Sequence, residues 1–159
     1  MIQWLTSNTI GRIIATFVIS MFPVIELRGG IPYGVGFGLN PWVAFVVAML
    51  GNLFPIPFIL ILLNGILEWM KTRKGIIGSA ANWLENKAYK NQATIEKYKA
   101  LGLIILVAIP LPGTGAWTGA LVATVLRMNR KTAFPCIVIG VLIAGIIVTA
   151  ISYGFASIF

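Results

Sequence analysis

The sequence predicts an all-α integral membrane protein built as an inverted repeat, each half a re-entrant, broken-helix hairpin followed by a transmembrane helix. Three observations carry this expectation. Hydrophobic residues make up 58% of the 159-residue chain and charged residues 10%, which is more apolar surface than a soluble domain of that size can hide. Charges are absent from 29–67, 100–126 and 132–159, each run longer than the roughly 20 residues that cross a bilayer core. The chain also matches itself at an offset of 89. Residues 23–51 laid on 112–140 agree at Pro23/Pro112, Gly30/Gly119, Asn40/Asn129, Ala44/Ala133, Phe45/Phe134 and Gly51/Gly140, where composition alone gives roughly two matches. The matched residues are mostly helix punctuation, the mark of a repeat.

The first repeat occupies 1–70. Its first 11 residues carry no basic side chain, and no small-residue cleavage site follows, so a cleaved signal peptide is not expected. Residues 10–38 are too long for one straight span and too short for two. They break at Pro23 and again at Gly29-Gly30-Ile31-Pro32, which predicts a hairpin. The uncharged link Gly38-Leu39-Asn40-Pro41 is expected outside. A span over 42–67, kinked by Pro55 and Pro57, then leads inward to Lys71.

Residues 71–99 hold seven of the 12 basic residues, which places this segment on the cytoplasmic side. Ile76, Ile77, Trp83, Leu84, Ile95 and Tyr98 lie among its lysines, the pattern of an amphipathic interfacial helix. The second repeat, 100–159, begins with an apolar stretch over 100–126. It is bounded by this segment and by Arg127-Met128-Asn129-Arg130-Lys131. Both flanks are cytoplasmic by charge, so the stretch must leave and return on one face. Pro110-Leu111-Pro112-Gly113-Thr114-Gly115 breaks it near its middle. A span over 131–156 completes the chain. The competing arrangement of four plain transmembrane helices puts Arg127, Arg130 and Lys131 outside, against the positive-inside bias. Arg12, outside or buried in the hairpin arrangement, counts the other way.

Glu26 is the one acid within an apolar segment; Glu68, Glu85 and Glu96 lie at or beyond the membrane edge. A carboxylate at membrane depth is costly unless paired or protonated. Arg28 is two residues away, and the broken backbone between Pro23 and Pro32 lets both side chains reach one cavity. Two readings follow. In one the pair holds the hairpin tip together; in the other Glu26 exchanges a proton or cation while Arg28, Gly29 and Gly30 bind substrate. In the second hairpin Gly113, Thr114 and Gly115 offer bare N–H groups and a hydroxyl at a helix start, an anion-favouring arrangement. Trp117 lines the cavity or packs on the other hairpin. Asn52, after the repeat glycine Gly51, is a candidate partner in ion coupling, with polar glue between helices as the plainer role.

The chain has no His and one Cys, Cys136. An internal disulfide, a multi-cysteine metal site and the commonest general base are thereby excluded, and neither an enzyme nor a cofactor is expected. The basic excess flanks apolar segments, so its partner is anionic lipid rather than nucleic acid. No Walker-type loop is present, so transport would not be driven by ATP bound to this chain.

Glu26-Leu27-Arg28-Gly29-Gly30-Ile31-Pro32, Gly51-Asn52 with Pro55 and Pro57, and Pro110 through Gly119 resemble the three signatures of the putative small multi-drug export proteins of bacteria and archaea. The resemblance covers nearly the whole chain and implies efflux. Pro110-x-Pro112-Gly113 is also similar to the P-x-P-G element of the DedA/VTT membrane proteins, although only apolar residues precede Pro110 where those proteins carry an acid. That likeness implies paired re-entrant hairpins and proton-dependent flipping of a lipid carrier such as a polyprenyl phosphate. The expectation is a multi-pass, homodimeric protein of the cytoplasmic membrane. It would move an amphipathic, anionic substrate coupled to protons or sodium through Glu26. The alternatives are proton-coupled export of lipophilic cations and a non-transporting membrane scaffold.

Overall fold

A computed structural model describes residues 8–71, 92–111 and 113–158. Seven helices and no strand occur among them: α1 (Thr9–Met21), α2 (Glu26–Gly36), α3 (Pro41–Leu53), α4 (Ile56–Lys71), α5 (Gln92–Ala108), α6 (Ala116–Val125) and α7 (Arg130–Ile158). Pro41–Leu63, running through α3 into α4, and Arg130–Gly154 of α7 are long and apolar enough to cross a membrane. Thr9–Met21, Tyr98–Ala108 and Ala116–Val125 are apolar but shorter. Thirteen, 11 and 10 residues rise only about 15–20 Å, against a core of about 30 Å.

All but one of the breaks fall where the punctuation predicts. The one expected at Gly29-Gly30-Ile31-Pro32 does not form: α2 runs through it with Pro32 inside the helix, forgoing only the hydrogen bond to the carbonyl four residues back, while burial of Leu27, Gly30, Ile31 and Gly34 holds the helix together. The chain turns between α1 and α2 over 22–25, around Pro23. Helix α5 ends at Ala108 and α6 begins at Ala116, so 100–126 is not one continuous rod. Phe54 and Pro55 interrupt the first long span, because Pro55 and Pro57 cannot donate to the carbonyls of Gly51 and Leu53. Most of the cytoplasmic segment expected over 71–99 lies outside the described residues. Its last part, from Gln92, is already the start of α5, so a helix runs through the boundary drawn at 99/100.

Local backbone events recur at the 89-residue offset. Helix α2 ends with Leu39 N–H on Gly34 O (2.9 Å) and Gly38 N–H on Val35 O (3.0 Å); α6 ends with Met128 N–H on Ala123 O (2.9 Å) and Arg127 N–H on Thr124 O (3.0 Å). Both are Schellman closures, with the left-handed residue at Gly38 (φ 84°) and Arg127 (φ 52°). An asparagine then caps the next helix in each half: Asn40 Oδ1 accepts from Trp42 N–H and Asn129 Oδ1 from Lys131 N–H.

Packing follows the same scheme. Helix α1 packs on α2 and α3, and α5 on α6 and α7; α2 then crosses to α7, and α6 to α4. Small residues make the approaches close, as between membrane helices generally: Ala44, Ala48, Ala116, Ala120 and Ala133 are wholly buried. A Cβ at Gly140 would stand 2.6 Å from Val107 Cβ, and one at Gly51 would overlap the Phe17 carbonyl. Around these crossings Leu27, Ile31, Ile56, Leu103, Val107, Ile137 and Val141 form one core. Ile10, Ile14 and Val18, four apart on α1, face outward, as does a lipid-facing stripe.

Candidate functional site

The two broken loops meet. Glu26 begins α2 with φ 50°, a left-handed backbone uncommon for a residue with a side chain. Such strain persists where surrounding contacts over-determine it, and here they come from the other half of the chain. Trp117 N–H donates to Glu26 Oε1 at 3.2 Å, and the Ala116 N–H also acts on the carboxylate. These are the first N–H groups of α6, whose own N-cap, Gly115, has no side chain to offer. Glu26 therefore supplies in trans the cap that α6 lacks, a negative charge at the positive end of a helix.

Arg28 serves the other side of the same break. Its Nη1 donates to Leu111 O and to Thr114 O (2.8 Å), and its Nη2 to Ile109 O and Thr114 Oγ1 (3.0 Å each). These carbonyls follow the C-terminus of α5, where cations are favoured, and charge-assisted bonds of this kind are the stronger ones. The Thr114 hydroxyl also lies 2.7 Å from Ile109 O and 2.8 Å from Leu111 O. Acid and base thus straddle the second break, each against the helix end of opposite sign. Arg28 Nε is buried without a hydrogen-bond partner.

Gly115 explains how the carboxylate comes so close. Its φ of 124° suits glycine, and a Cβ there would overlap the Glu26 carboxyl group. The contact is reciprocal at the 89-residue offset. Glu26 and Gly115 are 89 apart, as are Arg28 and Trp117. Arg28 holds carbonyls of the second break, and Trp117 Nε1–H donates to Met21 O, beside the first break, at 3.2 Å.

Glu26, Arg28, Thr114, Gly115 and Trp117 are brought together; the other candidates are not. Gly29 faces Ile25 of its own loop, and Gly30 packs on Ser20 and Thr16 of α1. Gly113 is exposed with a φ of 83°, open space where a Cβ would be, and its carbonyl accepting from Thr118 Oγ1 (3.0 Å). Asn52 is fully buried, and neither amide atom has a partner. On the antiparallel α2 and α3, Gly34 meets Ala44. Eight residues back along α2 and eight forward along α3 bring Glu26 and Asn52 to one level. The acceptors Ile109 O, Leu111 O and Met21 O carry no side-chain signal and are missed by reading residue types.

A family model described as "Putative small multi-drug export protein" matches residues 26–147, from Glu26 well into α7. The chain belongs to that family. It is accordingly a membrane protein of export type. No curated protein and no solved structure matches it.

Proposed function

We propose that this family member is a secondary transporter, or flippase, for an amphipathic anion, with Glu26 as the coupling group. The observation that carries the reading is that Glu26 fills the α6 N-terminus with an internal carboxylate. A helix N-terminus at a break favours an anion, and here the protein's own acid stands where a substrate headgroup would bind. Protonation of Glu26, or sodium binding to it, removes that charge and frees the N–H groups of Ala116 and Trp117 for a phosphate or carboxylate. Arg28 and Thr114 keep the α5 end in place meanwhile. Asn52, level with Glu26 and with an unmet amide, is assigned to the coupling ion's path. Gly29, Gly30 and Gly113 serve the backbone around the site rather than the headgroup.

The same reading makes each half a re-entrant hairpin, with the halves inverted and 71–99 on the cytoplasmic side of the cell membrane. It is supported by helices too short to span alone. It is supported also by Lys99 Nζ donating to Leu126 O at 2.8 Å, which joins the two ends of 100–126.

The test is gradient-driven transport in proteoliposomes, with a short-chain polyprenyl phosphate and a lipophilic cation as competing probes. We expect the phosphate to move and Glu26→Gln to stop it with the protein still folded, since the amide oxygen can still accept from Trp117. Undiminished transport by Glu26→Gln, or movement of the cation but not the phosphate, overturns the reading.

A further inference from the structure

The repeat supplies an internal control for a second site. The α2–α3 and α6–α7 corners share one backbone, with the same Schellman closure and the same asparagine cap. Their side chains differ in charge, with one pair, Arg12/Leu101, running the opposite way to the rest. At the four positions Ile10/Lys99, Gly38/Arg127, Pro41/Arg130 and Trp42/Lys131, each 89 residues apart, an uncharged residue in the first half is a cation in the second. Arg12, whose Nη1 lies beside Gly38, is the cation described at the first corner.

We propose that the α6–α7 corner, formed by Lys99, Arg127, Arg130 and Lys131, binds the phosphate of an anionic phospholipid. Lys99 reaches from α5 to the Leu126 carbonyl, next to Arg127, and Arg130 and Lys131 open α7. Two helices and the turn between α6 and α7 therefore bring cations to one corner, beside the outward N–H groups of the α7 first turn. Arg127 is the informative member. It occupies a left-handed conformation that an L side chain disfavours, where its counterpart is glycine. The backbone alone would select glycine there, so the guanidinium is retained against local preference.

The occupant is a lipid and not free phosphate because the apolar surface continues from the charges. Tyr98 and Leu101 on α5, and Leu121 and Val125 on α6, are exposed large side chains next to the corner, placed to meet acyl chains whose headgroup sits among the cations. This inference is independent of the Glu26 site.

The test uses the full chain in neutral detergent, with lipid binding read by native mass spectrometry. Phosphatidylglycerol is compared with phosphatidylcholine. The variant Arg127→Gly/Arg130→Pro/Lys131→Trp takes at each position the residue that the same backbone holds in the first half, so its melting temperature should not fall. We expect wild type to prefer the anionic lipid and the triple variant to bind it about 100-fold less, or about fivefold per cation removed. A charge-matched variant, Lys74→Ala/Lys87→Ala/Lys90→Ala, should lose less than fivefold. Equal losses in the two triple variants would mean diffuse charge and overturn the proposal. So would retained binding in the corner variant, or full displacement of the lipid by inorganic phosphate at constant ionic strength.

Discussion

Gly115→Ala is the sharpest perturbation of the contact between the two breaks. The residue has φ 124° and ψ −168°, a region nearly closed to other residues, so alanine costs about 1–3 kcal/mol in backbone strain. The added Cβ would also stand 2.7 Å from Glu26 Cδ and 2.8 Å from Oε1, too close to coexist. The carboxylate must withdraw, giving up its bond from Trp117 N–H, about 1.5–3 kcal/mol for a hydrogen bond to a charged group. The sum, about 2.5–6 kcal/mol, should lower the melting temperature in detergent by on the order of 10 °C. Gly113→Ala is the control: its φ of 83° carries backbone strain, but nothing lies where the Cβ would go, so about 1–2 kcal/mol is expected. A double-mutant cycle isolates the carboxylate. In a Glu26→Ala background the steric part of the Gly115→Ala cost should vanish, leaving a coupling of about 1.5–3 kcal/mol. Equal melting temperatures for Gly115→Ala and Gly113→Ala, or no coupling in the cycle, would refute the argument that Glu26 caps α6 through this glycine.

Three further outcomes follow from the same geometry. Arg28→Lys keeps the charge but loses the planar fork that serves Ile109, Leu111 and Thr114 together; we expect a loss of about 2 kcal/mol and faster protease cleavage in 109–115, with wild-type cleavage counting against the clamp. Asn52→Leu removes a buried amide with no partner, so thermal stability should rise by about 1–3 kcal/mol while ion-coupled transport falls; a drop in stability would show that the amide is satisfied. Trp117→Phe deletes the Nε1–H bond to Met21 O together with part of a ring packed against the core and should cost about 1–3 kcal/mol in thermal unfolding, whereas an unchanged melting temperature would remove this half of the reciprocal contact.

Most helical breaks were legible in the sequence because proline acts locally: Pro23, Pro55 and Pro110 each stand at an interruption. Pro32 and Pro135 lie inside continuous helices instead, so the break expected at Gly29–Pro32 was misread: a proline costs a helix one hydrogen bond, and packing decides whether the helix continues. The meeting of Glu26 with Arg28's neighbourhood was legible for a different reason, since an acid in an apolar run demands a partner wherever the fold supplies one. The partners themselves were hidden. Arg28 binds carbonyls, which every residue possesses, so no pattern of side chains points to Ile109 or Leu111. The repeat was read from identical residues, yet the informative pairs are unlike: Glu26 with Gly115, Arg28 with Trp117, Gly38 with Arg127. A shared backbone position constrains φ and contact, not chemistry. The roles of Gly29 and Gly30 were illegible too, because a glycine at a ligand and a glycine at a helix crossing look the same in one dimension.

The exchange of α2 onto α7 and of α6 onto α4 has a consequence for biosynthesis. Neither half can complete its own structure after emerging from the ribosome: α6 waits for an acid made about 90 residues earlier, and the first turn waits for an indole not yet translated. Two fragments cut within 72–91 should be degraded when expressed singly and accumulate when expressed together.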